Sequence, residues 1–142
     1  MQHKSNTQKA RTPMIIKLDT TSTTPIYVQL RNQIVVGIGQ GDLKIGDGLP
    51  TVRQMAEDIG VNTMTVNKTY AILKQEGYIE IDRRHGAKVS PKVDMTGSFR
   101  EKVEGELMLL ISESSLKGVG RKEFMQMCED IYKGLRPIPV EN

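Results

Sequence analysis

The sequence predicts a mostly helical α+β protein with a small N-terminal domain and a short C-terminal tail of two helices. Five segments carry apolar residues at spacings of three and four, the period of a helix with one buried face. Two short alternating runs around a polar turn predict a β-hairpin after the third helix. A chain of 142 residues has room for one or two small domains. We therefore expect a basic arm (1–13), a three-helix domain with a hairpin (14–91) and a helical tail (92–142).

The composition argues against several classes of protein. The single cysteine, Cys128, can form no internal disulfide, and His3 and His85 do not form a paired metal motif. No apolar run approaches the roughly 18 residues of a membrane span, and the N-terminus lacks the apolar centre of a signal peptide. We expect a cytoplasmic protein with no membrane segment. Because we find no catalytic triad, phosphate-binding loop or paired carboxylates, we expect neither an enzyme nor a bound cofactor.

The net charge of +3 comes from 20 basic and 17 acidic residues, and the excess lies in the N-terminal arm. Lys4, Lys9 and Arg11 lie in this arm, which has no acidic residue. The arm is too polar to fold alone, so we expect it to be disordered. The alternative, that it holds DNA, stays open.

The first helix is expected to begin at Thr24 and Pro25, because threonine can cap a helix and proline fits the first helical position. Gly39 and Gly41 should end it. A turn-rich loop follows over residues 42–50. The buried stripe of this helix should consist of Tyr27, Leu30, Ile34 and Ile38.

The second helix is expected to begin after Thr51, since Thr51 and Gln54 have the spacing of a reciprocal capping box. Gly60 should end it, because glycine adopts the left-handed conformation of a helix C-terminus without strain. The inward face should consist of Val52, Met55, Ala56 and Ile59.

The third helix is expected to begin after Asn62, a favoured N-cap residue, and to close at Gly77. Its buried side should consist of Val66, Thr69 or Tyr70, and Leu73.

The hairpin should have Tyr78–Ile81 and Ala87–Val89 as its strands. The polar segment Asp82–Gly86 would form the turn between them. Pro91 then marks the end of the domain.

The tail should contain two short antiparallel helices. Ser98 and Glu101 have the spacing of a second capping box, and Gly118 and Gly120 separate the helices. Such a pair cannot enclose a core of its own, so its apolar faces must pack on the first domain or form the seam of a two-fold dimer. We favour the dimer seam. The first stripe contains Phe99, Val103, Leu107, Leu110 and Ile111, and the second contains Phe124, Cys128, Ile131 and Leu135.

The spacing of Ala56, Gly60 and Val66 indicates a tight corner between the second and third helices. A small residue lets the helices cross, glycine makes the turn, and valine fills the core beneath the third helix. Together with the hairpin, this predicts a winged helix-turn-helix, a fold that binds DNA. The alternative is an ordinary small helical core.

Residues 24–89 resemble the GntR family of bacterial transcription regulators. The resemblance rests on four motifs, which are Leu49–Ala56 (LPTVRQMA), Gly60–Val66 (GVNTMTV), Leu73–Gly77 (LKQEG) and Arg83–Gly86 (RRHG). The short tail and the segments Ile15–Asp19 and Pro25–Gln29 are similar to the YtrA-type subfamily. The resemblance implies dimerisation through the tail, at residues Phe99, Val103, Leu107, Leu110, Phe124, Ile131 and Leu135.

Carried over to this sequence, the family pattern implies that Arg53 reaches DNA and that Thr51 meets a phosphate at a helix N-terminus. The alternatives are that Arg53 is a solvated helix residue or that it forms an ion pair with Glu57. Thr63 and Asn67 stand where larger relatives often have arginine, which favours contacts to adenine or the thymine methyl over guanine. We expect Met64 to be packed on one side and to contact the groove on the other. The third helix would meet the major groove with Asn62, Thr63, Thr65, Asn67 and Lys68.

The turn of the hairpin would approach the minor groove and its phosphates. Arg83 and Arg84 beside Gly86 suit this role, and His85 is a possible helper. A solvated charged turn is the alternative.

These expectations together describe a homodimeric regulator that binds double-stranded DNA at an inverted repeat. The YtrA-type resemblance implies a repressor of its own operon, including transporter genes. The tail leaves no room for a ligand-binding domain, so we do not expect a dedicated effector pocket. The alternative is a winged-helix module for protein or RNA interaction.

Overall fold

The computed structural model describes residues 15–93 and 97–135, so the predicted basic arm lies outside the described residues. The chain divides into two compact units, with the boundary between Lys92 and Val93. Its described part is mostly helical with one small sheet, and the predicted α+β winged-helix class is confirmed. The elements in chain order are α1 (Ile26–Gly39), α2 (Val52–Ile59), α3 (Thr63–Gln75), β1 (Ile79–Asp82), β2 (Gly86–Val89), α4 (Gly97–Leu116) and α5 (Arg121–Lys133).

Helix α1 begins one residue later than expected. Pro25 occupies the N-cap position, and its carbonyl accepts hydrogen bonds from the N–H groups of Val28 and Gln29, at 3.0 and 3.1 Å. The prediction of Thr24 as the cap is therefore wrong, because no side chain caps this helix. The predicted stripe is buried at Leu30, Ile34 and Ile38, and half-buried at Tyr27.

The corner between α2 and α3 has the predicted geometry. Gly60 adopts the left-handed conformation, with φ +71°, and the N–H of Val61 donates to the carbonyl of Ala56 at 3.0 Å. Helices α1, α2 and α3 bury apolar residues in one core, with α3 packed against both α1 and α2. The buried apolar side chains of α2 and α3 are Met55, Ala56, Val66, Tyr70 and Leu73.

The capping box at the start of α2 is only half formed. The hydroxyl of Thr51 accepts from the N–H of Gln54 at 3.1 Å, as expected. The Gln54 amide donates instead to Asp58 at 2.8 Å, because a side chain four residues along the helix is also within its reach.

The two strands form an antiparallel hairpin in which Ile79 faces Val89 and Asp82 faces Gly86. Each strand differs from its predicted bounds by one residue. The segment before α2 runs along the other edge of β2, since the N–H of Leu49 donates to the carbonyl of Ala87 at 2.8 Å. The sheet therefore ties the loop before α2 to the hairpin.

An extended N-terminal segment lies along α1 and is held by two glutamine side chains. The Oε1 of Gln33 accepts from the N–H of Lys17, and the Oε1 of Gln29 accepts from the N–H of Asp19, both at 2.8 Å. Glutamines four residues apart lie on one face of a helix, so they pair with alternate residues of an extended segment.

The second unit consists of α4 and α5. The predicted cap at Ser98 is wrong, because α4 is already helical at Gly97. The predicted break is confirmed, with Gly118 at φ +96° and Gly120 as the N-cap of α5. Leu135 follows the end of α5 rather than lying within it. No helix in the described residues is long and apolar enough to cross a membrane.

Candidate nucleic-acid interface

Helix α3 is fixed in the first unit by its inner side. Its buried residues are Val66, Thr69, Tyr70 and Leu73. Thr69 and Tyr70, which were predicted as alternatives, are therefore both buried. The hydroxyl of Thr69 donates to the carbonyl of Tyr27 at 3.0 Å, and that of Tyr70 donates to the carbonyl of Pro50 at 2.7 Å. These bonds satisfy polar groups inside the core and fix the rotation of α3.

The opposite side of α3 faces solvent, and we call it the outward face. A helix brings residues three and four apart onto one side, so the inner residues determine which residues face out. Thr65 is half-buried at the edge of this face. The outward face consists of Thr63, Met64, Asn67 and Lys68, all exposed.

Asn62, also exposed, caps α3. Its Oδ1 accepts a hydrogen bond from the N–H of Met64 at 2.6 Å. The side-chain oxygen of Asn62, a predicted DNA contact, is therefore already used in the cap. Its amide N–H₂ group can still donate a hydrogen bond.

Arg53 lies in the first turn of α2 and is exposed. It makes no ion pair with Glu57 or any other residue in the described ranges, so the alternative of an internal salt bridge is absent there. Thr51, immediately before α2, is exposed as well. Its side chain is engaged in the cap, and the remaining free N–H groups of this helix end are available to an anion.

The tip of the hairpin is held by one carboxylate. Asp82 accepts from the N–H of Arg84 at 2.7 Å, and its other oxygen lies 3.1 Å from Nδ1 of His85. The hydrogen bond from His85, followed by that from the Arg84 backbone, lowers the pKa of Asp82. Gly86 completes the turn with φ +77°, a conformation that other residues rarely adopt. Arg83 and Arg84 are exposed.

Two contacts that the sequence did not predict connect α1 to α3 and to the segment between α3 and β1. The ammonium of Lys68 lies 3.9 Å from the centre of the Tyr27 ring. The Nε of Arg31 pairs with Glu76 at 2.9 Å, and its guanidinium also lies 5.6 Å from the centre of the ring of Tyr78. Arg31 therefore links α1 to the junction between α3 and β1.

Comparison with known proteins decides the family. The profile of the bacterial regulatory proteins of the gntR family matches residues 24–89. The HTH-type transcriptional repressor YtrA of Bacillus subtilis (strain 168) is 33% identical over 119 residues, which cover 82% of this chain and 92% of that protein. This chain belongs to the GntR family. Its relatives are transcriptional regulators, so this GntR protein is a regulator and not an enzyme.

Two solved structures agree with the fold, and one of them agrees with the YtrA type. YtrA from Sulfolobus acidocaldarius, a GntR-family transcription factor, is 38% identical and has a TM-score of 0.60. It covers 69% of this chain, and this chain covers 98% of it. A transcriptional antiterminator from Listeria monocytogenes EGD-e has a TM-score of 0.73 at 25% identity, over 90% of this chain and 98% of that one.

The tail of this GntR protein presents apolar side chains to solvent. No residue of α4 or α5 is buried. A helix that buries no residue gains little from packing and is marginal in isolation. Among the predicted dimer contacts, Phe124 and Leu135 are half-buried, and the rest are exposed, namely Phe99, Val103, Leu107, Leu110 and Ile131.

The sequence analysis did not identify Tyr27, Arg31 and Glu76 as residues that connect α1 with α3. It also misjudged the exposure of Met64. Tyr27 was assigned only to the core, and the charged pair joins residues that are 45 positions apart. Met64 is exposed to 74%, so the expectation that one side of it is packed is wrong. A signal was available for Met64, because a residue two positions from buried Val66 lies about 200° around the helix.

Proposed function

We propose that this GntR-family protein is a cytoplasmic, homodimeric repressor that binds an inverted-repeat operator. Its target would be its own operon, including transporter genes. The observation that carries this proposal is the outward face of α3, where hydrogen-bonding side chains of Thr63 and Asn67 are exposed on a helix whose inner side is fixed.

The proposed base contacts follow from the chemistry of these side chains. Asn67 can pair with the N6 and N7 edge of adenine, and Thr63 can contact either a base edge or the methyl of thymine. The amide of Asn62 and the half-buried Thr65 would flank them. Lys68 would contact a phosphate, since its ammonium is a compact point charge of the kind that binds phosphate oxygens.

Two further groups would hold the DNA backbone. Arg53 and the N-terminus of α2 at Thr51 would bind phosphates. This role is supported by the exposure of Arg53 and by its lack of an ion pair in the described residues. Arg83 and Arg84 would enter the minor groove from the hairpin tip, where Gly86 permits the tight turn. His85 would serve as a secondary contact, since its ring is already paired with Asp82.

The tail supports the homodimer. Its apolar residues are exposed in a single chain, and an exposed stripe of this length marks an interaction surface. A two-fold dimer would place two α3 helices about 34 Å apart, which is one turn of DNA, so the operator should be an inverted repeat.

The sign of regulation is proposed from the relatives. The Bacillus subtilis relative is named a transcriptional repressor. Repression of the operon would follow if the dimer covers its promoter. The Listeria structure is named a transcriptional antiterminator. The competing function is a winged-helix module for protein or RNA interaction, and the same experiment tests binding to RNA.

The experiment is fluorescence anisotropy of the protein on its own promoter DNA, on scrambled DNA and on promoter-derived RNA, over a series of salt concentrations. The mass in solution is measured alongside. We expect a dimer that prefers promoter DNA, with an affinity that falls steeply with salt because phosphate contacts release counterions. Equal binding to both DNAs, or a preference for RNA, would contradict the proposal.

A series of variants tests which residues of the protein bind the DNA. Arg53→Ala should weaken binding, as should the double variant with Arg83→Ala and Arg84→Ala. Lys117→Ala in the tail is the matched control, because it removes one exposed charge far along the sequence from α2 and the hairpin. If both test variants bind like the control, the proposed surface is incorrect.

A further inference from the structure

Met64 is a large apolar side chain that the fold of the first unit does not use. It is exposed to 74%, whereas the other methionine of the helix-turn-helix, Met55, is exposed to only 6%. Two residues along the helix, Val66 is fully buried. The side chain of Met64 therefore contributes little to the core and is available to a binding partner.

The position of Met64 within α3 indicates which partner. It is the second residue of the helix, and Asn67 and Lys68 follow at three and four positions, on the same side. It thus lies among the polar side chains that we propose for base and backbone contacts. Its own N–H is held by Asn62 at 2.6 Å, so the backbone that carries this side chain is fixed before binding.

From this placement we infer that Met64 determines specificity by contacting the C5-methyl group of a thymine in the major groove. This inference rests on the proposed function, in which α3 enters that groove. The methyl of thymine is the apolar group that a base pair presents there, and an unbranched thioether side chain adapts its shape to such a group.

The inference also places the thymine. Met64 and Asn67 are three residues apart, which corresponds to about 4.5 Å along the helix. Successive bases of one strand rise by about 3.4 Å. The thymine should therefore lie within about two base pairs of the adenine that Asn67 reads, so each half-site should contain an A·T-rich step.

The test replaces thymine by deoxyuridine, one position at a time, in one half-site of the promoter DNA that the protein binds. Deoxyuridine lacks the C5-methyl group but pairs like thymine. The wild-type protein should lose about fourfold in affinity at one of these positions, the effect of removing one buried methyl group. Met64→Ala should bind the unmodified DNA more weakly and should show no further loss at that position.

Three other variants make the result specific. Met64→Leu keeps an apolar side chain and should retain the response to deoxyuridine, whereas Met64→Gln, of similar length but polar, should lose it. Val36→Ala removes exposed apolar surface from α1, where Val36 is exposed to 52%, and should respond like wild type. Because Met64 is exposed, each of its variants should keep the unfolding midpoint of the wild type.

The outcomes separate this inference from the proposed function. If the wild type prefers promoter DNA but Met64→Ala responds to deoxyuridine as the wild type does, the role of Met64 is overturned and the proposed function stands. If no thymine position shows a response in the wild type, the role of Met64 is likewise overturned. If the wild type shows no preference for promoter DNA, both are overturned.

Discussion

The ammonium of Lys68 lies 3.9 Å from the centre of the Tyr27 ring, which joins the outward face of α3 to the first turn of α1. A cation over an aromatic face is held by the quadrupole of the ring, and an exposed pair of this kind contributes about 0.5–1 kcal/mol. The contact restricts a flexible side chain at the surface where we propose that DNA binds. Lys68 is thereby positioned as a fixed charge.

The first prediction concerns this charge. Lys68→Ala should weaken binding to promoter and scrambled DNA by similar factors, because a phosphate contact carries no sequence information. The slope of log affinity against log salt should decrease in magnitude by about one. Anisotropy titrations at several salt concentrations measure both quantities. A loss confined to promoter DNA would instead assign Lys68 to base recognition.

The second prediction concerns the link made by Arg31. Its side chain is only 25% exposed and combines an ion pair to Glu76 with a contact to the ring of Tyr78. Arg31→Ala should lower the free energy of unfolding by about 1 kcal/mol, the sum expected for a partly exposed ion pair and a cation–π contact. Urea denaturation measures the change.

Arg100→Ala is the control for this link, because its ion pair to Glu104 is more exposed, at 79% and 59% for the two side chains. It should change the free energy of unfolding by less than about 0.5 kcal/mol. A loss for Arg31→Ala no larger than that of the control would show that the link contributes nothing to stability.

The third prediction separates two roles of Asn62. Because its Oδ1 caps α3, Asn62→Ala should destabilise the protein by about 1 kcal/mol, whereas Asn62→Asp should keep the cap and most of the stability. If the amide also donates to DNA, Asn62→Asp should still bind promoter DNA more weakly. Equal DNA affinity of Asn62→Asp and wild type would restrict this residue to the cap.

The fourth prediction tests the tail. Leu107 belongs to the proposed dimer stripe, and Leu116, nine residues later, lies about 180° around the same helix. Leu107→Glu should convert the dimer to a monomer, since a charge in an apolar seam has no partner. Leu116→Glu, the same change outside the stripe, should remain dimeric. Light scattering distinguishes the two, and a dimer for both variants would exclude the seam.

Features governed by local geometry could be predicted from the sequence. Gly60, Asn62 and the buried stripe of α3 depend on residues within one or two turns, and the structure confirms all three. In the hairpin, β1 begins and ends one residue later than predicted and β2 begins one residue earlier, because Asp82 pairs with Gly86.

Features that depend on distant residues could not be predicted in the same way. The contacts from Tyr27 to Lys68 and from Arg31 to Glu76 exist because α1 crosses α3 at one particular angle, which no local pattern specifies. The cap of α1 was misassigned for a different reason. Both Thr24 and Pro25 are compatible with a helix start, and propensity alone does not decide between neighbouring residues.

The central claim is that the outward face of α3 reads DNA sequence, and Asn67→Ala tests it most directly. Affinities for promoter and scrambled DNA are measured by anisotropy at one salt concentration for this variant and the wild type. Loss of a paired contact to adenine should cost about 1–3 kcal/mol on promoter DNA, roughly a five- to 150-fold loss for each half-site. Scrambled DNA should be bound as before. An equal loss on both DNAs, or no loss on promoter DNA, would contradict the claim.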